Sequence, residues 1–445
     1  MKNTSIFSIL FFILLLVSCG KKVDKAIYIE RVSKAEYLID AELMLNKSII
    51  HDIFSPPVSS RIYYYSSLAA YEAAIQADSH FVSMAGQIHG FEGVPKPKAG
   101  REVSFPVAAT WAYITVGKSL TFAEELYEQY EKDLDKKYLE TGIPEDIYED
   151  SKAYGMEVAA SIKQYFGKDN YKETRGFRFT VTNEPGTWIP TPPGYFDAVE
   201  PFWPTIRTAV LDSASQFRQP EPVPFDPKKG SAFYKEMEEV YQVVNNLTDE
   251  QRAIANFWDC NPFKMNITGH AMFATKKMSP GGHWMGIAGQ VSRQLNKTYN
   301  ETAEAFLMTS MGIFDAFIAC WDNKYQTNRI RPETAINEYL DKDWLPVLQT
   351  PPFPEYTSGH SAISRAAAVV LTKYYGDKVS FSDSTEIPYG LPPRKFESFI
   401  EASDQAAISR LYGGIHYRPA CMLGKDQGEG VGYLVLERIK TRKEN

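Results

Sequence analysis

The chain has 445 residues, 44% of them hydrophobic and 23% charged. That is ordinary globular composition, with enough apolar mass for one large core or two fused ones. A formal net charge of −7 excludes a broadly basic nucleic-acid-binding surface, so any bound anion must be met by local positive charge.

The first elements lie outside the fold. Lys2 opens a short n-region, Ile6 to Val17 is a nearly unbroken apolar run, and Leu16-Val17-Ser18-Cys19 follows. The run is too short for a comfortable membrane span and reads as a signal peptide over residues 1–18. The Cys after a small residue matches a bacterial lipoprotein cleavage box. The expected mature chain starts at a lipidated Cys19, with residues 19–30 as a tether to the cell envelope. The remaining cysteines, Cys260, Cys320 and Cys421, give no metal-ligand spacing and no even disulfide framework, and read as buried thiols.

Residues 31–183 carry a helical pattern. Arg61 and three tyrosines lead into Leu68, Ala69, Ala70, Ala73, Ala74 and Ile75, small and apolar at helical spacing. Further helices are expected over about 106–139 and 146–166, the second stopping near Gly167. The stretch 184–230 breaks the pattern with prolines such as Pro185, Pro190, Pro201 and Pro220, which helix interiors reject. Its Trp188, Tyr195, Phe196, Phe202 and Trp203 predict a packed loop. Residues 231–445 form the catalytic region, with helices expected over 231–246, 248–258, 301–322, 361–375 and 426–440. No alternating run is long enough to build a sheet. The expected class is all-α.

Three segments in this second region carry chemistry. Lys324 and Arg331 stand seven apart, a spacing that places both on one helical face, just before Pro332. Pro354-Glu355-Tyr356-Thr357-Ser358-Gly359-His360 runs directly into an Ala-rich helix. A Ser-Gly step there presents free N–H groups and the positive dipole end, and His360 stands beside any anion held by them. Arg410 and His416 stand six apart around Gly413-Gly414. The guanidinium can fork onto two oxygens, and an imidazole nitrogen can attack phosphorus or ligate a metal. Each segment alone reads as an ordinary helix end or cap. Together they supply three fixed cations, backbone donors, a hydroxyl and two histidines, which suits a tetrahedral oxyanion and its five-coordinate transition state.

This ordered set resembles the superfamily of type 2 phosphatidic acid phosphatases, bacterial acid phosphatases and vanadium-dependent haloperoxidases. Asp315-Ala316, Trp321-Asp322, Ala335-Ile336, Pro351 to Tyr356, Phe257-Trp258 and Pro280 to Trp284 are similar to its soluble haloperoxidase-like bacterial branch. The resemblance implies a large helical-bundle fold. It implies that Lys324, Arg331 and Arg410 bind equatorial oxygens and that the Ser358 and Gly359 N–H groups complete the cradle. His416 would be the axial ligand of vanadium or the phosphate nucleophile, and His360 the general acid or base. The family often has an acidic residue four places after the second His. Here that place is Ala420, so the partner of His416 is expected from Asp404, Asp426, Glu429 or a backbone carbonyl. Thr357 stands where the family usually has Pro.

His270 and His283 lie on separate turns and read as structural or pocket-wall residues. Tyr356 and Trp284 suit either pocket lining or core. Arg365 reads as a salt-bridge residue, and His51, His80 and His89 as surface residues. Three functions fit. One is a haloperoxidase that uses vanadate as cofactor and takes a small halide or organic substrate. Another is a phosphatase acting through His416, with no cofactor. The last is a non-catalytic envelope lipoprotein.

Overall fold

The computed structural model describes residues 23–268 and 270–443. The signal peptide, Cys19 and Gly269 lie outside the described residues.

The described residues open with α1 (Lys25–Val32), α2 (Glu36–Asp52) and α3 (Pro56–Ala74). Then come α4 (Phe105–Leu120), α5 (Glu124–Leu139), α6 (Glu145–Phe166) and the single turn α7 (Tyr171–Thr174). After the Pro-rich segment come α8 (Ala232–Asn245), α9 (Asp249–Phe257) and the hairpin of β1 (Lys264–Thr268) and β2 (Ala271–Thr275). The site elements follow: α10 (Pro280–Gln294), α11 (Tyr299–Thr327), α12 (Pro332–Tyr339) and α13 (Gly359–Tyr375). A second hairpin of β3 (Phe381–Asp383) and β4 (Arg394–Phe396) leads to α14 (Phe399–Tyr412) and α15 (Arg418–Arg438). The fold is mainly helical, as expected, and the two ladders are too short to leave an alternating signature.

The central element is α11. Thr298 and Glu301 form a capping box that fixes its start. Every residue from Thr302 to Lys324 is buried, as suits a helix apolar on all faces. It has the length and hydropathy of a membrane span, but its apolar window is wholly covered by protein. The helix packs on α3 on one side and on α13 and α15 on the other, so the helices before and after the Pro-rich segment share one core.

The closest helix pair joins α13 to α15, and glycine makes it possible. A Cβ on Gly428 would stand 1.9 Å from the Ala362 carbonyl oxygen, and one on Gly424 2.8 Å from that of Ser358. The two backbones touch, and this brings the start of α15 against the start of α13. The Pro-rich segment is packed, as expected, through its tryptophans, while Tyr195 is exposed. Trp188 and Trp203 are fully buried. The Asp315 carboxylate of α11 accepts from the N–H groups of Ala209, Val210 and Leu211 at 2.7, 2.8 and 3.1 Å.

Two expectations are corrected here. The helix read over 106–139 is two, α4 and α5. Thr121 is extended, and the Phe122 N–H leaves the helix to donate to Asp52 Oδ2 at 2.6 Å. Lys324 and Arg331 are not on one helix either. Asn328 adopts a left-handed conformation at φ 44° and ends α11, so Arg331 is the N-cap residue of α12.

Candidate active site

All three predicted segments meet at the N-terminus of α13. Lys324 arrives on the last turn of α11, Arg410 on the last turn of α14, and His416 on the short link into α15. Gly414, at φ +76°, turns that link. The Ser358 N–H donates to the Ala420 carbonyl at 3.0 Å, which ties the His416 segment to the helix start.

They border a cavity of about 530 Å³. Phe54, Phe196, Phe317, Trp321 and Phe353 give it apolar walls, and Gly359, His360, Arg410 and His416 form its polar end. Lys324, Arg331 and Ser358 stand directly behind that end and do not line it.

The state of His416 follows from its neighbours. Its Nδ1–H donates to Glu355 Oε1 at 2.8 Å. The same oxygen accepts from the Tyr417 N–H at 3.0 Å, and Arg329 pairs with the other at 3.5 Å. Burial pushes the Glu355 carboxyl up, and Arg329, Arg331 and Lys324 oppose that push. Oε1 serves as acceptor for both bonds. With Nδ1 so occupied, Nε2 carries the lone pair, and Arg331 Nη1 approaches it at 3.3 Å. Burial, then Arg331, Lys324 and Arg410, hold His416 well below the usual imidazole range, so the ring is neutral. A neutral ring with a fixed tautomer, its Nε2 lone pair met only by the Arg331 guanidinium, is what metal ligation or nucleophilic attack requires.

This overturns the expected source of the carboxylate. Asp404 pairs with Arg365 and Lys425, and Asp426 is exposed. Glu355 does the work that the sequence assigned to a residue near 420. The signal was present, since Glu355 precedes Ser-Gly-His within the motif, but only the tertiary contact between two chain segments reveals it.

Buried polar atoms without partners mark where a ligand is expected. Arg331 donates Nε–H to the Phe353 carbonyl and Nη1–H to that of Ile415, both at 2.8 Å, while Nη2 is buried and unpaired. His360 Nε2 is likewise buried and unpaired. Burial, Arg410 and His283 hold His360 well below the imidazole range. Arg410 gives Nη2–H to the Trp258 carbonyl at 2.6 Å and Nε–H to Ser409 Oγ at 3.1 Å, leaving Nη1 without a protein partner among the described residues. The Gly359 and His360 N–H groups open the helix and have no intrahelical carbonyl to bond. Unpaired donors of this kind fit a tetrahedral oxyanion such as vanadate or phosphate.

Two roles are corrected. The Ser358 N–H is already bonded to Ala420, and its hydroxyl oxygen caps Ser361 N at 3.3 Å, so only its hydroxyl proton remains. Lys324 gives its three protons to the carbonyls of Pro354, Glu355 and Thr357 at 3.0, 3.0 and 2.5 Å. It contributes charge and braces that segment, and burial has pushed it down to about 7. Gly359 makes room for Trp321, since a Cβ there would meet Trp321 Cζ3 at 3.3 Å, whereas Lys324 Cε at 4.0 Å would be in ordinary contact. Thr357, in place of Pro, donates its hydroxyl to Gln427 Oε1 at 2.7 Å.

The weaker candidates resolve plainly. Tyr356 is buried and donates to the Pro220 carbonyl at 2.5 Å, and Trp284 donates to Ser364 Oγ at 2.8 Å, so both belong to the core. His270 is exposed. The three cysteines are free and buried.

A family model for the VCPO second helical-bundle domain matches residues 304–444. The chain is similar to the crystal structure described as the first bacterial vanadium-dependent iodoperoxidase, with 45% identity, a TM-score of 0.87, and coverage of 92% of this chain and 98% of that one. It is also similar in fold to a holo-type bacterial vanadium-dependent chloroperoxidase, with 18% identity, a TM-score of 0.68 and the same coverages. The apo-type chloroperoxidase matches at 18% identity and a TM-score of 0.65, over 86% of this chain and 95% of that one. No curated protein sequence matches.

Proposed function

We propose, from the premise that this chain belongs to the vanadium haloperoxidase superfamily, that it is a vanadate-holding enzyme that uses peroxide to oxidise halide, with iodide as its substrate. The choice of iodide rests on the 45% identity to a bacterial iodoperoxidase. The observation that carries the reading is the setting of His416. Glu355 fixes its tautomer, Arg331 faces its Nε2, and the ring borders the cavity beside His360 and Arg410.

Bound at His416 Nε2, vanadate supplies the Lewis-acid centre at which peroxide is activated toward halide. The chain's own residues do the rest. Arg331 Nη2, Arg410 Nη1 and the Gly359 and His360 N–H groups hold the anion's oxygens, and Lys324 adds charge from behind. Glu355 keeps the His416 lone pair on Nε2. His360, neutral and with Nε2 unpaired, takes the proton that peroxide releases. The aromatic walls admit a large, weakly hydrated anion more readily than a strongly hydrated one, since desolvation costs it less.

The same cradle fits phosphate, with His416 as nucleophile and no cofactor, and one paired assay separates the two. Vanadate-loaded enzyme is given iodide and peroxide, and vanadate-free enzyme is given a phosphomonoester. Iodide oxidation that His416→Ala abolishes supports the proposal. Phosphomonoester hydrolysis inhibited by vanadate, with no halide oxidation, overturns it. The reading as a non-catalytic lipoprotein falls to the kinship with a peroxidase. We further place the chain at the bacterial cell envelope, anchored to the membrane through Cys19, on the strength of residues 2–19 alone. Fatty-acid labelling that Cys19→Ala leaves unchanged would remove that anchor.

A further inference from the structure

At the edge of the cavity, reaching it through Cys260, lies a second polar cluster that the proposed chemistry does not use. Cys260 follows α9, His283 sits in the first turn of α10, and Glu386 follows β3. Cys260 Sγ is 3.4 Å from His283 Nδ1, and His283 Nδ1 is 3.6 Å from Glu386 Oε1. One donor atom from each of the three lies within 4.8 Å of the others. All three residues are at most 2% exposed.

The independent sign is Glu386. It is fully buried, and neither carboxylate oxygen accepts a hydrogen bond. A separation of 3.6 Å from His283 is too long for one. Burial pushes the carboxyl up to about 7 with the His283 ring beside it, so the group is costly to hold charged without a closer cation. The two separations from His283 Nδ1, 3.4 and 3.6 Å, suit one. With metal–ligand bonds of roughly 2.0–2.3 Å, adjacent donors on a tetrahedral ion stand about 3.3–3.6 Å apart.

The imidazole is also set as a metal-bound one is. His283 Nε2 pairs with Asp383 Oδ2 at 2.6 Å, and Asp383 Oδ1 accepts from the Thr385 N–H and hydroxyl at 3.0 and 2.7 Å. That chain fixes the ring and turns Nδ1 toward Cys260 and Glu386. Cys260 borders the cavity, which gives a cation a path in.

We propose that Cys260, His283 and Glu386 form a binding site for a borderline divalent cation of the zinc or cobalt(II) class, with Asp383 as the positioning residue for His283. Sulfur, nitrogen and oxygen together select such an ion over calcium or magnesium, which prefer oxygen alone. The ion takes Sγ, Nδ1 and one Glu386 oxygen, and the Cys260 thiol proton and any proton on Nδ1 or on the Glu386 carboxyl leave to solvent. Its fourth position is open for water. The site has a consequence for the cavity, because Trp258 stacks on His283 at 4.6 Å and its carbonyl holds Arg410. A loaded ion would stiffen the support of an anion-binding guanidinium.

The test is a titration of the full mature chain, stripped with a chelator, with cobalt(II) alone. The expected result is one equivalent bound, with a thiolate-to-cobalt charge-transfer band and the ligand-field spectrum of a four-coordinate ion. Zinc should displace it. Cys260→Ser should abolish the charge-transfer band, and Asp383→Asn should weaken cobalt binding about 10–100-fold. If a variant fails to fold, X-ray absorption on the wild-type cobalt complex decides, through a sulfur neighbour at roughly 2.3 Å. No bound cobalt, binding without a sulfur ligand, or a band that survives in Cys260→Ser overturns the proposal and leaves a hydrogen-bonded cluster only. Halide oxidation is not read, so failure of the haloperoxidase reading leaves this test standing.

Discussion

Glu355→Gln preserves the shape of the side chain but puts an amide where His416 Nδ1–H finds its acceptor. If the amide N–H faces the ring, the tautomer that leaves Nε2 free is lost. We expect vanadate affinity and iodide turnover to fall about 10–100-fold, the range for losing a group that orients a metal-binding His. Equilibrium vanadate binding beside turnover checks it, and unchanged values would detach Glu355 from the site. Lys324 sets a pH dependence. Burial has pushed it down to about 7, and an anion favours its protonated form. Vanadate affinity should therefore hold below about pH 7 and decline as pH rises above it. Lys324→Met should remove that step, while vanadate's own titration, common to both proteins, remains. At this scale the sequence was informative about identity and weaker about roles. Lys324, Arg331, His360, Arg410 and His416 were all legible as one set. That Lys324 and Ser358 spend most of their hydrogen bonds on the backbone was not, because the Lys324 bonds and the Ser358 N–H bond join residues thirty or more positions apart.

Helix ends and helix contacts decide whether that set assembles. A methyl on Gly428 would stand 1.9 Å from a backbone oxygen of α13, where no flexible side chain can yield. Gly428→Ala should cost about 1–3 kcal/mol or more by urea denaturation and shift the His416 segment away from α13. Thr298→Ala, which removes the capping box at the far end of α11, should cost about 1 kcal/mol and leave turnover intact. Together the two variants separate a packing contact that serves the site from one that serves only stability. The sequence showed α11 and α13 because their apolar spacing is strong and a Thr or a Ser-Gly marks each start. It missed the break between α4 and α5, since no Gly or Pro lies at 121–123 and the capture of the Phe122 N–H by Asp52 is a tertiary event. It also placed the start of α15 late, at 426 where the helix begins at Arg418.

Across the whole molecule, the Pro-rich segment is held by buried polar anchors on the central helix. Asp315 accepts from three successive backbone N–H groups there. Asp315→Ala leaves these donors buried and unpaired, at about 1–3 kcal/mol each. Limited proteolysis should then cut within 184–230, where the wild-type chain resists, and an unchanged digest would show that the aromatics alone hold the segment. The sequence by itself determined the helical class, the packed nature of this segment and which three motif segments to look for together, because apolar periodicity, proline placement and motif chemistry are local properties of the chain. Tertiary structure alone decided which carboxylate sets His416, which donors stay free for an anion, and that Cys260, His283 and Glu386 share one point in space. Those depend on distances between residues far apart in the chain, and such distances exist only once the helices have packed.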